Sequence, residues 1–339
     1  MTPNTTTYDD VSPRTNGAAR GKLLERGQRL LVAERFGYFD PQQKNKTKTA
    51  MWRRYNSLAR ATSPLAEGVP PAGQKLTYTD ITATLEQYGD SVEITDVVKD
   101  THEDIVDLEA LDLCAEQIAE TVEELRINVL KAGTTVYYGN GAATRATVNS
   151  PAVRGDFRKI KRFFKKYKGR EITRIIKASR KVSTEPVAPA FFAMGHTDLD
   201  SDLRDLSGFI PLEQYSNSDK GLPGEIGKIE SVRIILTNMF DSWQAAGTSG
   251  TTYLSGGVAV SSAASCDVYP LIIVAKNAYA IVPLQGKNAV TPYIVNPKPQ
   301  VSDKLAQIGF VAWKLMTAAV ILNENWIARL EVAATANPS

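Results

Sequence analysis

His102 and His196 are the only imidazoles in this 339-residue chain, and Cys114 and Cys266 are its only thiols. Neither histidine stands in a metal-ligand spacing such as HExxH, so each reads as a buried or capping residue. Two distant cysteines build neither a disulfide framework nor a thiolate cluster. Cys114 falls inside a long helical pattern, where a thiol packs as a small apolar residue. Asp198, Asp200 and Asp202 repeat the spacing that opens a calcium loop, but Leu203 replaces the glycine at loop position six. Phe209 stands where the closing glutamate belongs, so the triplet reads as helix-capping or turn chemistry. There is no phosphate-binding glycine loop, no GxSxG and no CxxC, and Gly139-Asn140-Gly141 is a turn signal only. The sequence therefore offers no catalytic, cofactor or metal residue, and the chain is not expected to be an enzyme.

The charge has one feature that could do work. Net charge is +3, from 40 basic and 37 acidic residues. Residues 154–181 alone carry thirteen Lys or Arg against Asp156 and Glu171. Phe157, Ile160, Phe164 and Tyr167 make the start of that stretch an amphipathic helix with a basic outer face. Arg158, Lys161, Arg162, Lys165 and Lys166 are its candidates for contact with a phosphate backbone, without sequence preference. The competing reading is a solvated face, or one that meets acidic residues of a neighbouring subunit. Interleaved aromatic platforms and helix-turn-helix patterns are both missing.

The elements around it are organised on one long helix. Over 102–132, Ile105, Leu108, Leu111, Ala115, Ile118, Val122, Leu125 and Val129 recur every three or four residues. Thr101 is the predicted cap with Asp104 behind it, and Gly133 the predicted left-handed stop. Residues 1–50 read as an arm, with one amphipathic helix at 18–36, too polar to order itself without a neighbouring copy. Residues 64–98 read as a two-stranded projection that must lie on something, with a break at Tyr88-Gly89-Asp90. A hairpin is expected at Asn140-Gly141, buried strands at 190–196 and 232–240, and a loop at 245–265. A strand pair is expected over 268–284, and a closing hairpin turning at Asn323-Glu324-Asn325. No run of eighteen apolar residues exists, and the polar first residues lack a signal-peptide core, so cytosolic use is expected.

Four stretches together carry a resemblance: 67–96, containing YGDSVEITD; 125–148, closing the long helix; 202–235, containing GEIGKI and VR; and 303–331, containing IGFVAWK and AVILNENWI. Their order and spacing are similar to those of the major capsid proteins of tailed phages of the N-four type, a branch of the Hong Kong 97 capsid fold. The resemblance covers roughly residues 50–332. Met194-Gly195-His196 departs from the usual apolar-Pro strand ending, and Glu230-Ser231 stands where small glycines are common. Residues 245–265 coincide with the family's variable zone.

The resemblance implies an α+β Hong Kong 97-type fold: an N-terminal arm (1–63), an extended loop (64–98), a peripheral domain with a spine helix (99–133 and 291–332), an axial domain (134–290) and a tail (333–339). It implies a major capsid protein whose pentamers and hexamers close into an icosahedral shell around double-stranded DNA. The implied location is the virion capsid, assembled in host cytoplasm. Its partners would be further copies of itself, the portal, separate scaffolding or decoration proteins, and packaged DNA, with no membrane and no cofactor. Phe36, Tyr78, Ile81, Leu85 and Tyr88 are the candidate contacts between subunits. The alternatives are a non-specific DNA-binding structural protein and an encapsulin-like compartment shell.

Overall fold

The structure, a computed structural model, describes residues 5–6, 31–64, 67–68, 70–71, 73–101, 106–177, 183–215, 221–250, 253–259, 264–285, 290–297, 299 and 305–336. Helices in chain order are α1 (Ala33–Phe36), α2 (Asp96–Thr101), α3 (Val106–Lys131), α4 (Arg154–Lys166) and α5 (Asp200–Arg204). The first strands are β1 (Thr49–Tyr55), β2 (Tyr78–Thr84), β3 (Glu86–Thr95), β4 (Val136–Tyr138), β5 (Ile172–Lys177) and β6 (Ser183–Gly195). They are followed by β7 (Glu225–Ile229), β8 (Val232–Leu236), β9 (Tyr269–Val274) and β10 (Tyr279–Pro283). The last are β11 (Val290–Val295), β12 (Ile308–Ile321) and β13 (Ile327–Val332). Strands of two residues also occur, among them Thr5–Thr6, Tyr38–Phe39 and Ile210–Pro211.

Two sheets carry the chain. The eight-stranded sheet runs β4-β13-β9-β6-β8-β7 and ends on Ile210–Pro211, with β5 paired to the first part of β6. Its central strands read as unbroken apolar runs because both faces are covered. On one face α4 packs Phe157, Ile160 and Phe164 against Phe191, Ala193, Ile234 and Leu271. On the other, Phe192, Met194, Ile272 and Val274 meet Phe36 of α1, Ile127 and Leu130 of α3, and Tyr279 and Ile281 of β10.

The six-stranded sheet is built on the fourteen residues of β12. One edge of β12 pairs with β3 from Ile308↔Thr95 to Thr317↔Glu86. The other edge takes β11 along Phe310–Leu315 and β10 along Thr317–Ile321. Val311, Trp313 and Leu315 face α3, where they close over Ala110, Cys114 and Val122. The packing role expected of Cys114 holds.

Several sequence expectations are corrected. At 26 residues, α3 is about 39 Å long. Its buried line passes through Ala110, Cys114, Val122, Glu123, Arg126, Ile127 and Leu130, whereas Ala115 is exposed and Leu125 and Val129 are half-buried. The stripe shifts round the helix because its first half covers the six-stranded sheet and its last turns cover the eight-stranded one. Thr101 lies in α2, where its hydroxyl donates to the Val97 carbonyl at 2.5 Å. Residues 102–105 and the arm helix expected from 18 to 30 lie outside the described residues; only Ala33–Phe36 of that helix is seen. Gly133 is not left-handed.

The projection expected at 64–98 is instead β1 paired with β2, in unbroken register from Thr49↔Thr84 to Tyr55↔Tyr78. Half of it therefore comes from the stretch assigned to the arm. No bulge occurs at Gly89, which pairs regularly with Lys314. A side chain there would sit 2.7 Å from the Trp313 carbonyl, so glycine serves close approach. Asn140 and Gly141 do turn the chain, at φ +52 and +81, but β4 runs on parallel to β13 and makes no hairpin.

The two strand pairs expected near the C-terminus also separate: β9 and β13 belong to one sheet, β10 and β12 to the other. Their connecting turns bond to each other instead. Ala275 N–H donates to the Trp326 carbonyl at 2.9 Å, and Leu322 N–H to the Ala278 carbonyl at 2.8 Å. β9 and β10 are each apolar on both sides, so alternation alone does not reveal which sheet either joins.

Candidate assembly surfaces

The β1–β2 hairpin is anchored at its root and bare along its length. Ala50, Leu85 and Val282 form a buried cluster against Trp52, Leu284 and Met316, which roots the hairpin in the six-stranded sheet. The Trp52 indole N–H donates to Asp40 at 2.9 Å. Arg53 donates to both Asp80 oxygens at 2.8 and 2.9 Å and lays its guanidinium 4.1 Å from the Tyr78 ring centre. That bidentate bond holds the Asp80 carboxyl below the usual carboxylate range. Farther out, Met51, Tyr55, Leu58, Leu76 and Tyr78 are each more than half exposed. Large apolar side chains grouped on a projection mark a surface made to be covered.

The five expected contact residues divide accordingly. Tyr78 lies on this surface, and Ile81 is half-buried on the same strand. Leu85, 1% exposed, is consumed in the root cluster. Phe36 stacks on Phe192 with centroids 4.3 Å apart and faces the core. Tyr88 is half-buried on the α3 side, where burial pushes its phenol up and its hydroxyl donates to Glu86. Phe36 and Leu85 thus have no surface left for a second chain. Met51, Tyr55, Leu58 and Leu76 were not among the expected contacts, because TAMWRRY places three apolar residues in a row and shows no strand alternation.

The basic helix also divides. Glu230 and Ser231 form the two-residue turn between β7 and β8, both at positive φ, which is type I′ geometry without a glycine. The Glu230 carboxylate accepts from Arg154 at 2.7 Å and Arg158 at 2.9 Å, and these two hold it below its ordinary range. Lys161 donates to the Ser231 hydroxyl at 3.0 Å. Arg162, Lys165 and Lys166 are exposed, with Lys168 and Arg170 beyond them. Arg180 and Lys181 lie outside the described residues. The free cationic strip therefore begins a turn later than Arg158.

The aspartate triplet does not converge. Asp198 accepts from the Tyr269 hydroxyl at 2.8 Å, Asp200 pairs with Arg204, and Asp202 accepts from the Thr335 N–H at 2.8 Å. His196 accepts the Asp198 N–H as a turn cap. No group of metal-ligating side chains is found among the described residues, and no described helix is long and apolar enough to cross a membrane.

Comparison with known proteins places the chain in a family. A family described as phage capsid protein matches residues 78–328, about three quarters of the chain. The chain belongs to the phage capsid protein family. The major capsid protein of Pseudomonas phage KPP21 is 29% identical over 133 residues, spanning 37% of this chain but only 33% of that relative. Among solved structures, the capsid of Ralstonia phage GP4 is similar at TM-score 0.66 and 10% identity, covering 99% of both chains. The cyanophage Pam1 capsid asymmetric unit is similar at TM-score 0.64 and 14% identity, covering 99% of this chain and 100% of that one. An encapsulin complex from Synechococcus elongatus PCC 7942 shares the fold at TM-score 0.51 and 10% identity, over 88% of this chain and 86% of its own. The family that matches is one of structural capsid proteins.

Two charged groups fasten α3 to its neighbours inside the chain. Glu123 on α3 accepts the Val32 N–H at 2.9 Å and the Ala33 N–H at 2.7 Å, capping α1. The Tyr279 hydroxyl takes the Ala33 carbonyl, and Arg126 pairs with Glu34 at 3.1 Å. At the other end of α3, Arg329 donates to the carbonyls of Lys131 and Gly133, satisfying the helix terminus from β13. The stop expected of Gly133 comes instead from a residue about two hundred positions away.

Proposed function

We propose that this chain is the major capsid protein of a tailed phage, of the Hong Kong 97 type and the N-four-like branch. Pentamers and hexamers would close into an icosahedral shell around double-stranded DNA. One observation supports it most: the apolar face of the 49–84 hairpin, which its own chain leaves bare. An adjacent subunit is the cover, and repeated head-to-tail contacts under closed symmetry give a finite shell. We place the peripheral domain on α3 and the six-stranded sheet, and the axial domain on the eight-stranded sheet. The domains then follow the sheets: β10 sits with α3, and β13 with the axial strands. The strip at Arg162, Lys165 and Lys166 supports an inner face toward DNA. Portal and separate scaffolding proteins would be the remaining partners, and assembly would take place in host cytoplasm.

Replacing residues 57–76 by a two-residue Asn-Gly turn, together with Met51→Thr, Tyr55→Thr and Tyr78→Thr, keeps both strands and removes the exposed apolar residues. The variant should remain a folded, soluble subunit by circular dichroism and fail to close shells in negative stain. Normal particles from that variant would refute the role given to the hairpin. DNA inside wild-type particles separates a phage shell from an encapsulin-like compartment.

A further inference from the structure

Arg126 stands between two carboxylates that belong to different parts of the chain. The residue is 6% exposed, and its Nη1 lies 3.1 Å from the Glu34 carboxylate of α1. That approach is close enough for attraction, yet neither Nη1 nor Nε has an aligned hydrogen-bond partner among the described residues. A buried guanidinium bonded so poorly costs free energy that a better acceptor would recover. Arg126 also joins Leu125 and Val129 in lining a cavity of about 170 Å³ between α3 and the six-stranded sheet. The rest of its wall comes from β12 and from the root of the hairpin, where it includes Thr84 and Glu86. Leu85, between those two, is the residue buried in the root cluster.

Glu86 is the acceptor that the cavity brings within reach. It is exposed and takes the Tyr88 hydroxyl on Oε2 at 3.1 Å, which leaves its other oxygen for a further donor. Glu123, one turn back on α3, is the rival, since its Oε2 also has no partner among the described residues. Its Oε1, however, already serves Val32 and Ala33, and burial favours its neutral form, which is a poor mate for a guanidinium. A guanidinium forks onto one carboxylate at a time, so a bond to Glu34 and a bond to Glu86 exclude each other. We propose that Arg126 is a two-position lever: it holds Glu34 while α1 is seated and, when that pair is broken, turns through the cavity to Glu86. The seat of α1 and the grip on the hairpin root are then coupled within one chain, and the coupling is reciprocal. On the shell reading, on which this consequence rests, a subunit whose α1 is displaced holds its hairpin more firmly by the root.

The lever is tested in the isolated full chain, so its failure is separate from failure of the shell reading. On the wild-type background, Glu86→Gln should leave the urea midpoint unchanged. On a Glu34→Gln background the same change should raise the unfolding equilibrium constant about tenfold, within the range for residues that share a partner. Adding Arg126→Met should abolish that dependence. A dependence that survives Arg126→Met would mean direct repulsion between the two carboxylates and would overturn the lever. So would a Glu86→Gln effect of equal size on both backgrounds, which is the outcome if Arg126 turns to Glu123. A second measurement keeps Arg126 in place. Leu85 N–H donates to the Lys48 carbonyl at 2.9 Å inside the hairpin root. Glu34→Gln should slow hydrogen exchange of that amide severalfold, and adding Glu86→Gln should restore the wild-type rate. Unchanged or faster exchange in Glu34→Gln would refute the proposal.

Discussion

Arg145 and Glu331 meet as a bidentate pair, at 2.7 and 2.8 Å, around a carboxylate with no exposed surface. Glu331 also accepts from Arg329 at 2.8 Å, and Arg329 closes the C-terminus of α3. The Arg145 guanidinium lies 3.7 Å from the Trp243 ring centre, and Arg329 lies 5.4 Å from the same ring. One carboxylate therefore couples the end of the long helix, a strand of the eight-stranded sheet and the loop at Trp243.

Replacing Glu331 by Leu leaves two guanidinium groups without their buried partner. The expected loss is about 3 kcal/mol, the order found when one member of a buried pair is removed. It should appear as a lower urea midpoint of the unassembled subunit with an unchanged slope. Arg145→Lys keeps the charge but loses the bidentate fork and the stacking, so it should lose less, about 1–2 kcal/mol. A Glu331→Leu subunit as stable as wild type would mean that the joint carries no strength.

Gln117 fastens α3 to its sheet by both ends of one amide. It donates to Asp90 of β3 at 2.7 Å and accepts from the Trp313 indole of β12 at 2.8 Å. The Asp90 carboxyl is held below its ordinary range chiefly by that amide. Gln117→Leu should lower subunit stability by about 1–2 kcal/mol, the sum expected for two hydrogen bonds. Combined with Trp313→Phe, the losses should be less than additive, since both remove the same bond. Full additivity in a denaturation cycle would rule out the shared bond.

The sequence made local features legible where one segment decides them. Phe157, Ile160 and Phe164 announce α4, and the long period of α3 is visible although its buried side is not. That side includes Glu123 and Arg126, charged residues which no hydropathy pattern selects. They are buried because α1 packs against them from outside the helix, its first N–H groups bonded to Glu123 and its Glu34 paired with Arg126. The same limit hid the helix stop: Gly133 is local and Arg329 is not. Thr49–Tyr55 has no clear strand alternation, its polar flanks suggest an arm, and its partner β2 lies more than twenty residues on. The contact candidates mixed core with surface for a related reason. Leu85 and Tyr78 are alike in type, and only the root of the hairpin in the six-stranded sheet separates them.

The division of the basic helix gives a salt-dependence prediction. Arg162→Gln, Lys165→Gln and Lys166→Gln remove charges exposed along one face. If they meet DNA, the logarithmic salt dependence of DNA retention should fall by about 0.9 per charge, or about 2.7 together. Arg158→Gln should change it less, because Glu230 already engages that side chain. The readout is DNA released from particles across a sodium chloride series. An unchanged slope in the triple variant would assign the strip to solvent or to a neighbouring subunit.

The cap on α1 makes stability depend on pH in a direction that can be worked out. Burial is the largest influence on Glu123 and pushes its carboxyl up, against the Val32 and Ala33 N–H groups and Arg126, which favour the charged form. Glu34, Arg35, Arg126 and Tyr279 are the other titratable groups around it. A carboxyl raised in the native state binds its proton more readily folded than unfolded. Its contribution is therefore fully present below the unfolded value and is lost as pH rises through the native one. Glu123→Gln keeps an oxygen for both N–H groups and resembles the protonated form at every pH. It should match wild type in acid, equal or exceed it at neutral pH, and flatten this part of the profile. Glu123→Ala removes the acceptor altogether and should lose about 1–2 kcal/mol in acid, the usual worth of a cap, and less as pH rises through the native value. Urea midpoints of the three subunits from pH 4 to 8 measure all of this. A Gln variant that is weaker than wild type at neutral pH and converges on it in acid would show that the charge itself holds α1 in place.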